Sequence, residues 1–212
     1  MKDDSAMKDS STMKDSSVIK DNSTIKVWDP FVRIFHWSLV LLFVITFASE
    51  EGPESVHIFA GYGVSLLVLF RIFWGFFGTR YARFSNFSYG KAAQKRYLKS
   101  LMSRHPEHYT GHNPAGGLMV LILLAALLLQ CFLGMVLISA EGEGPFAGTF
   151  LSIFSNAVTK EFHDALGHGL LLLIAVHIGG VVVSSLLHRE NLIRAMVTGK
   201  KNRKESPDAK NT

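Results

Sequence analysis

Four histidines lie in strongly apolar stretches of this sequence, where an imidazole is costly to bury without a partner. His36 is in PFVRIFHWSLVLLF, His57 is in HIFAGYGVSLLVLF, and His163 and His177 begin and end HDALGHGLLLLIAVH. Fourteen residues separate the last two, so on a helix they lie within about 40° of each other and about 21 Å apart along the axis. One metal ion cannot use both rings, whereas two groups bound at different depths can.

Four apolar windows are long enough to cross a membrane as helices: residues 31–48, 56–78, 115–139 and 163–187. Each is about the length that a helix needs to span roughly 30 Å of hydrocarbon. Runs such as LMVLILLAALLLQ lack the alternation of membrane barrel strands. The sequence therefore predicts an all-α membrane protein, a four-transmembrane-helix bundle formed by residues 28–200.

Lysine and arginine are unevenly distributed among the connections. The loop from Thr79 to Pro114 holds seven of them against one acid, and the segment from Arg189 onward holds seven against three acids. The other two links carry three acids each, and Lys160 is the only base in them. Because basic segments stay on the cytoplasmic side, we expect both termini in the cytoplasm. No nucleic-acid-binding motif accompanies the positive charge, so we expect no nucleic-acid partner.

The two ends of the chain differ from its centre. Residues 1–27 repeat with a spacing of six, as in MKDSST and MKDSSV, and each repeat offers one apolar residue. This composition predicts a disordered tail, and the basic segment 201–212 predicts another. Cys131 is the only cysteine, which excludes an intrachain disulfide and covalent haem attachment through CxxCH.

The predicted topology sets the four membrane histidines at two depths. His36 and His177 fall toward the inner ends of their helices, and His57 and His163 fall near the outer ends. Each pair suits one haem held between two imidazoles, an arrangement that leaves no open iron position and favours electron transfer. The sequence therefore predicts two b haems with these four residues as axial ligands.

Other polar residues flank the predicted haem sites. Arg71 follows His57 by fourteen residues, and it either pairs with a propionate of the inner haem or snorkels to the membrane surface. Arg33 allows the same two interpretations, and the snorkelling one is favoured. His168 lies about 140° around the helix from His163, so we expect it to be a bystander.

Three more histidines, His105, His108 and His112, precede the third membrane helix. A metal site is one interpretation, but Pro106 interrupts the run and no cysteine joins it. The other is a place beside a quinone headgroup, where an imidazole can exchange protons near neutral pH. The second interpretation is the more plausible.

Several segments resemble the superfamily of prokaryotic cytochrome b561 and the b-type cytochrome subunit of nickel-iron hydrogenase. They are PFVRIFHW, HIFAGYGVSLLVLFRIFWGFFGTRYARF, GHNPAGG, and HDALGHGLLLLIAVH with the following HRENLIRAMVTGKK. The resemblance covers about residues 26–200. It implies a four-helix membrane cytochrome with two non-covalent b haems, whose ligands carry over to His36, His57, His163 and His177.

The resemblance also implies a function, which is electron transfer across the bacterial inner membrane between the quinone pool and a redox partner. The partner would be a periplasmic c-type cytochrome, a hydrogenase or a similar protein, and this chain would be the quinone-reactive subunit. A superoxide or quinol oxidoreductase that acts alone is an alternative within the family. Two alternatives come from other classes: a metal or proton transporter that uses the membrane histidines, and a haemless membrane anchor. The sequence leaves open whether the chain forms a homodimer.

Overall fold

The computed structural model describes residues 24–101 and 109–202. In chain order its elements are β1 (Thr24–Lys26), α1 (Pro30–Ala48), α2 (Glu54–Phe77), α3 (Lys91–Leu101), α4 (Pro114–Ile138), α5 (Ala157–His188), α6 (Leu192–Thr198) and β2 (Lys200–Asn202). The helices α1, α2, α4 and α5 are long and apolar enough to span a membrane. The predicted all-α bundle of four membrane-spanning helices is confirmed.

Side-chain caps explain where three of the long helices begin. Asp29, Asn113 and Asn156 each accept a hydrogen bond from a backbone N–H in the first turn of α1, α4 and α5, at 2.9, 2.7 and 3.1 Å. Such caps satisfy N–H groups that have no partner inside the helix. Pro30 and Pro114 follow two of these caps directly, at the position where proline lacks only a hydrogen bond that the helix would not make.

The start of α5 differs from the predicted span of 163–187. The helix begins at Ala157, six residues earlier, because Asn156 caps it there. Thr159, Lys160 and Glu161 lie in this first section of the helix. Because they are polar, the section is not apolar enough to be included in the predicted membrane span. With 32 residues, α5 is about 48 Å long, so it extends beyond a bilayer core of roughly 30 Å.

The bundle core lies at mid-depth between the spanning helices, with α1 packed on α2, α2 on α4, and α4 on α5. It is built from Phe35, Val64, Val68, Leu124, Leu127 and Leu170. Val64 follows His57 by seven residues and Leu170 follows His163 by seven, and seven residues return a helix to within about 20° of the same face. An apolar layer therefore lies between the two ends of the bundle, on the same helix faces as His57 and His163.

We name the two ends of the bundle from their connections. The outer end carries the α1–α2 and α4–α5 links, and the inner end carries α3, α6 and the strands. At the inner end a second core forms from Val27, Trp28, Val32, Ala82 and Ala195. The amphipathic α3 packs against α4 there. Neither α3 nor α6 was predicted, because both are too short and too polar to register as spans.

The ribbon of β1 and β2 joins the two ends of the described chain. Its strands are antiparallel, with Ile25 opposite Lys201, and Gly199 turns α6 into β2 with a φ of 79°. These residues are ordered although the sequence analysis assigned 1–27 and 201–212 to tails, since pairing between strands so distant in sequence gives no local signal. The remaining tail residues, 1–23 and 203–212, lie outside the described residues.

Candidate functional site

His57 of α2 and His163 of α5 face each other at the outer end. Their ring centroids are 6.2 Å apart and the ring planes are inclined at 67°. With metal–nitrogen bonds of about 2 Å, two imidazoles on opposite sides of one iron have ring centres about 6 Å apart. The spacing of this pair therefore fits a single haem iron between the rings.

The orientation of His57 is fixed by the end of α1. Its Nδ1 lies 2.9 Å from the backbone carbonyl oxygen of Thr46. Thr46 is in the last turn of α1, where the carbonyls have no partner within the helix. When Nδ1 donates to this carbonyl, Nε2 keeps its lone pair and is available as a metal ligand.

Two residues of α4 shape the surroundings of His163. Nε2 of Gln130 lies 3.2 Å from Nε2 of His163, while Oε1 of Gln130 and Nδ1 of His163 are buried without a hydrogen-bond partner among the described residues. One turn later, a Cβ atom on Gly134 would lie 3.2 Å from Cε1 of His163. The sequence analysis missed both residues. The sequence did indicate Gln130, because it is the one polar amide side chain in the apolar stretch LMVLILLAALLLQCFLG.

A cavity surrounds the outer histidine pair. Its volume is about 570 Å³ and all four spanning helices contribute to its wall, including Phe47, Gly61, Gln130 and Gly167. Small-molecule and cofactor sites commonly enclose about 300–1,000 Å³. Together with the ring spacing, this cavity makes the residues of the outer end fit a haem.

His36 of α1 and His177 of α5 lie near each other at the inner end. They are close enough for their charges to interact, and Nδ1 of His36 is buried with no hydrogen-bond partner in the described part of the chain. The edge of the Trp37 ring supports the His36 ring, at a centroid distance of 5.3 Å. The structure thus places the rings of His57 and His163 in contact at the outer end and places His36 within range of the charge of His177 at the inner end.

Arg71 is buried at the inner end, with only 2% of its surface exposed. Its Nη2 donates to the carbonyl oxygen of Ala82 at 3.1 Å, and its guanidinium carbon lies 5.1 Å from the centre of the Phe84 ring. Asp29 is near enough for the two charges to interact. Nη1 is buried and has no partner among the described residues. A buried guanidinium with an unused donor fits an anionic group such as a carboxylate.

Arg33 has a different position from Arg71. Its Nη2 donates to the backbone carbonyl of Val197, in the last turn of α6. Carbonyls in the last turn of a helix need partners from outside it, so Arg33 ties α1 to α6. Its Nε is buried without a hydrogen-bond partner in the described chain.

Of the three loop histidines, His112 is described, and His105 and His108 lie outside the described residues. The His112 ring lies between Trp28 and Phe87, at centroid distances of 4.6 and 4.5 Å. Burial, together with the nearby charges of Arg71 and Lys201, lowers the pKa of His112 from 6.5 to about 3. The ring is therefore neutral at physiological pH and is turned into the protein.

His168 belongs to neither pair. It is exposed on α5, its Nδ1 lies 2.9 Å from the carbonyl oxygen of Asp164, and its ring meets the Phe47 ring edge-on at 6.0 Å. Among the residues that the structure describes, no three His, Cys, Asp or Glu side chains gather as ligands for one metal ion.

Comparison with known proteins identifies the family. Residues 27–199 match the family model of prokaryotic cytochrome b561, so the chain belongs to the prokaryotic cytochrome b561 family. Membership implies transmembrane electron transfer and a b-type haem.

Two similar proteins are both named probable Ni/Fe-hydrogenase B-type cytochrome subunit. The one from Rhizobium leguminosarum bv. viciae is 26% identical, with 86% of this chain and 90% of the relative covered. The one from Bradyrhizobium diazoefficiens is 24% identical, with 82% and 85% covered. No solved structure shows a significant match to the chain.

Proposed function

We propose that this protein carries electrons across the bacterial inner membrane through two b haems, from one redox partner to another. His57 and His163 would hold the outer haem, and His36 and His177 would hold the inner haem. The observation that carries the proposal is the outer pair, whose rings lie 6.2 Å apart beside a cavity of about 570 Å³.

Each part of the chain has a separate task in this proposal. A b haem held by each histidine pair would supply a one-electron redox couple. The carbonyl of Thr46 orients His57, and the apolar layer that contains Val64 and Leu170 excludes water from the space between the ends. The protein's contribution is thus position, ligation and a low local dielectric constant.

The orientation proposed for the chain places both termini, α3 and α6 in the cytoplasm. The excess of lysine and arginine in the α2–α4 loop and after α5 supports it. A test uses Lys95→Cys and Glu143→Cys in a Cys131→Ser background, because both positions are exposed. We expect a membrane-impermeant thiol reagent to label residue 143 in intact spheroplasts and residue 95 only in inverted vesicles. The reverse pattern would invert the proposed topology.

The partners proposed for the chain lie at opposite faces of the membrane. The names of the two relatives support a hydrogenase as one partner. We place it at the outer face, where a periplasmic c-type cytochrome would meet the same haem. We place the quinone at the inner face, beside the basic loop that includes His105 and His108. Addition of a soluble quinol to the oxidised protein should then reduce both haems, and the absence of any reduction would exclude quinol as the donor.

The deciding experiment is a reduced-minus-oxidised spectrum of the purified protein, with the haem quantified as its pyridine haemochrome. We expect two haems b per chain in the wild type and one in His177→Ala. His168→Ala, a change on the same helix outside both pairs, is the matched control and should keep two. A folded wild type that binds no haem, despite an adequate supply, would overturn the proposal and favour a transporter or an anchor.

A further inference from the structure

Besides Nδ1 of the proposed ligand His36 and Nε of Arg33, whose guanidinium already donates to Val197, two buried side-chain nitrogens at the inner end have no hydrogen-bond partner among the described residues. They are Nη1 of Arg71 and Nδ1 of His112. A buried polar atom left unpaired costs about 1–3 kcal/mol, so two in one place need an explanation. Neither group belongs to the axial ligand pairs.

The two donors lie in the same part of the inner end. A continuous set of contacts joins them: the Arg71 guanidinium lies against the Phe84 ring, Phe84 meets Phe87 at 5.7 Å, and Phe87 meets His112 at 4.5 Å. Both also border the inner core, because Arg71 donates to Ala82 and His112 packs on Trp28. His112 is within range of the charges of Arg71 and His177. His112 therefore lies between Arg71 and the proposed inner ligand His177 in the range of their charges.

The local acid does not use these donors. Asp29 accepts hydrogen bonds from the backbone N–H of Val32, from Nε1 of Trp74 and from the hydroxyl of Thr79. Its charge faces Arg71, but its oxygens already have three donors. A second acceptor is needed to satisfy Arg71 and His112, and a carboxylate can accept from both at once.

We propose that Arg71 and His112 together bind one carboxylate, a propionate of the inner haem, with Nη1 of Arg71 and Nδ1 of His112 as the donors. This inference rests on the proposed two-haem function. It gives His112 a role different from that of a quinone-side residue, in agreement with its ring being enclosed between Trp28 and Phe87. The low pKa of His112 keeps the ring neutral, so that Arg71 supplies the positive charge and His112 a neutral donor.

Three variants separate the roles of these donors. His112→Phe keeps an aromatic ring between Trp28 and Phe87 but removes both nitrogens. Arg71→Gln keeps a donor and removes the charge. The matched control is Tyr89→Phe, because the Tyr89 hydroxyl donates to the backbone carbonyl of His112 at 3.2 Å and makes no contact with the ring nitrogens. All three are compared with the wild type in quinone-free protein.

The first measurement counts the haems in each protein. Two haems in the wild type sustain the proposed function, whereas fewer than two in folded wild type overturn that function and this inference together. The second measurement is a redox-difference infrared spectrum of protein loaded with haem that carries ¹³C at its propionate carboxyl groups. We expect the labelled carboxylate bands to shift in His112→Phe and Arg71→Gln and to match the wild type in Tyr89→Phe.

The midpoint potentials give an independent readout. Loss of a donor leaves more negative charge on the propionate, which favours the ferric state, so the potential of one haem should fall while the other is unchanged. Unchanged labelled bands and potentials in both variants, with two haems retained, overturn the inference and leave the two-haem function standing. The inference is also overturned if His112→Phe is reduced more slowly by quinol while its labelled carboxylate bands are unchanged. That result would assign His112 to the quinone site. If His112→Phe does not fold, His112→Leu, which also lacks a side-chain donor, carries the same test together with Arg71→Gln.

Discussion

Gly134 of α4 lies so close to His163 of α5 that a Cβ atom at residue 134 would be 3.2 Å from Cε1 of the imidazole. Few side-chain contacts are that short, so a larger residue must push the ring or the helix away. Since the ring of His163 is 6.2 Å from that of His57, its displacement changes the spacing of the outer pair. The glycine is therefore part of the outer site although it carries no polar group.

We expect Gly134→Val to lose the outer haem, because the valine side chain displaces His163 from the position opposite His57. The haem count by pyridine haemochrome should fall from two per chain to one. The matched control is Gly169→Val on α5, where a Cβ atom meets nothing within 4 Å. Two haems with an unchanged spectrum in Gly134→Val would show that His163 is not held where the outer site needs it.

Two histidines on one helix give a second prediction. His163→Ala removes a proposed axial ligand and should leave one haem, whereas His168→Ala should keep two, since His168 is exposed and bonded to the Asp164 carbonyl. Circular dichroism of both variants checks that the helices are retained. Loss of a haem in His168→Ala, with none lost in His163→Ala, would exchange the roles proposed for these residues.

The sequence was sufficient for the features that depend on hydropathy and helical spacing. Membrane spans follow from apolar length, and the spacing of fourteen residues between His163 and His177 gives two depths on one face. The apolar windows predicted α1, α2 and α4 to within two residues at each end. Topology then indicated which histidines share a depth, and the structure brings His57 and His163 together.

Features that depend on contacts between distant residues were not predictable in this way. Arg33 and Arg71 allowed the same two interpretations, yet one ties α1 to α6 and the other is buried beside Phe84. Lys201 fell in a predicted tail because its burial depends on pairing with β1. Gly134 gave no signal, since its importance depends on which helix packs against α4.

Asp29 gives a prediction on pH dependence. Burial raises the pKa of Asp29, but its hydrogen bonds with Thr79, Val32 and Trp74 outweigh this effect and leave the pKa below the ordinary 3.8. A carboxyl group with a lowered folded pKa adds stability above the unfolded pKa, and this stability is lost as pH falls through the folded value. We therefore expect Asp29→Asn to be less stable than the wild type near neutral pH, by about 1–3 kcal/mol.

Thermal unfolding in detergent at several pH values measures this difference. The difference in stability between the wild type and Asp29→Asn should become smaller once the pH is below 3.8, because the carboxyl group then becomes protonated. Thr79→Val removes one donor from the same carboxylate and is expected to produce a smaller loss near neutral pH. If the difference in stability between the wild type and Asp29→Asn stays constant from neutral pH to below 3.8, the charge of Asp29 contributes nothing to stability.

The last prediction concerns the ion pair that holds the ribbon. Nζ of Lys201 lies 3.6 Å from Oε2 of Glu190, and the two side chains are only 7% and 9% exposed. Removal of one partner from a buried pair typically costs about 3–5 kcal/mol because the other charge stays buried, whereas replacing both with apolar residues is often neutral. Glu190→Leu should therefore weaken the ribbon and the double variant Glu190→Leu/Lys201→Met should restore it. Hydrogen exchange of the β1 amides, Thr24–Lys26, measures both effects, and equal protection in the single variant and the wild type would show that this pair does not hold the strands together.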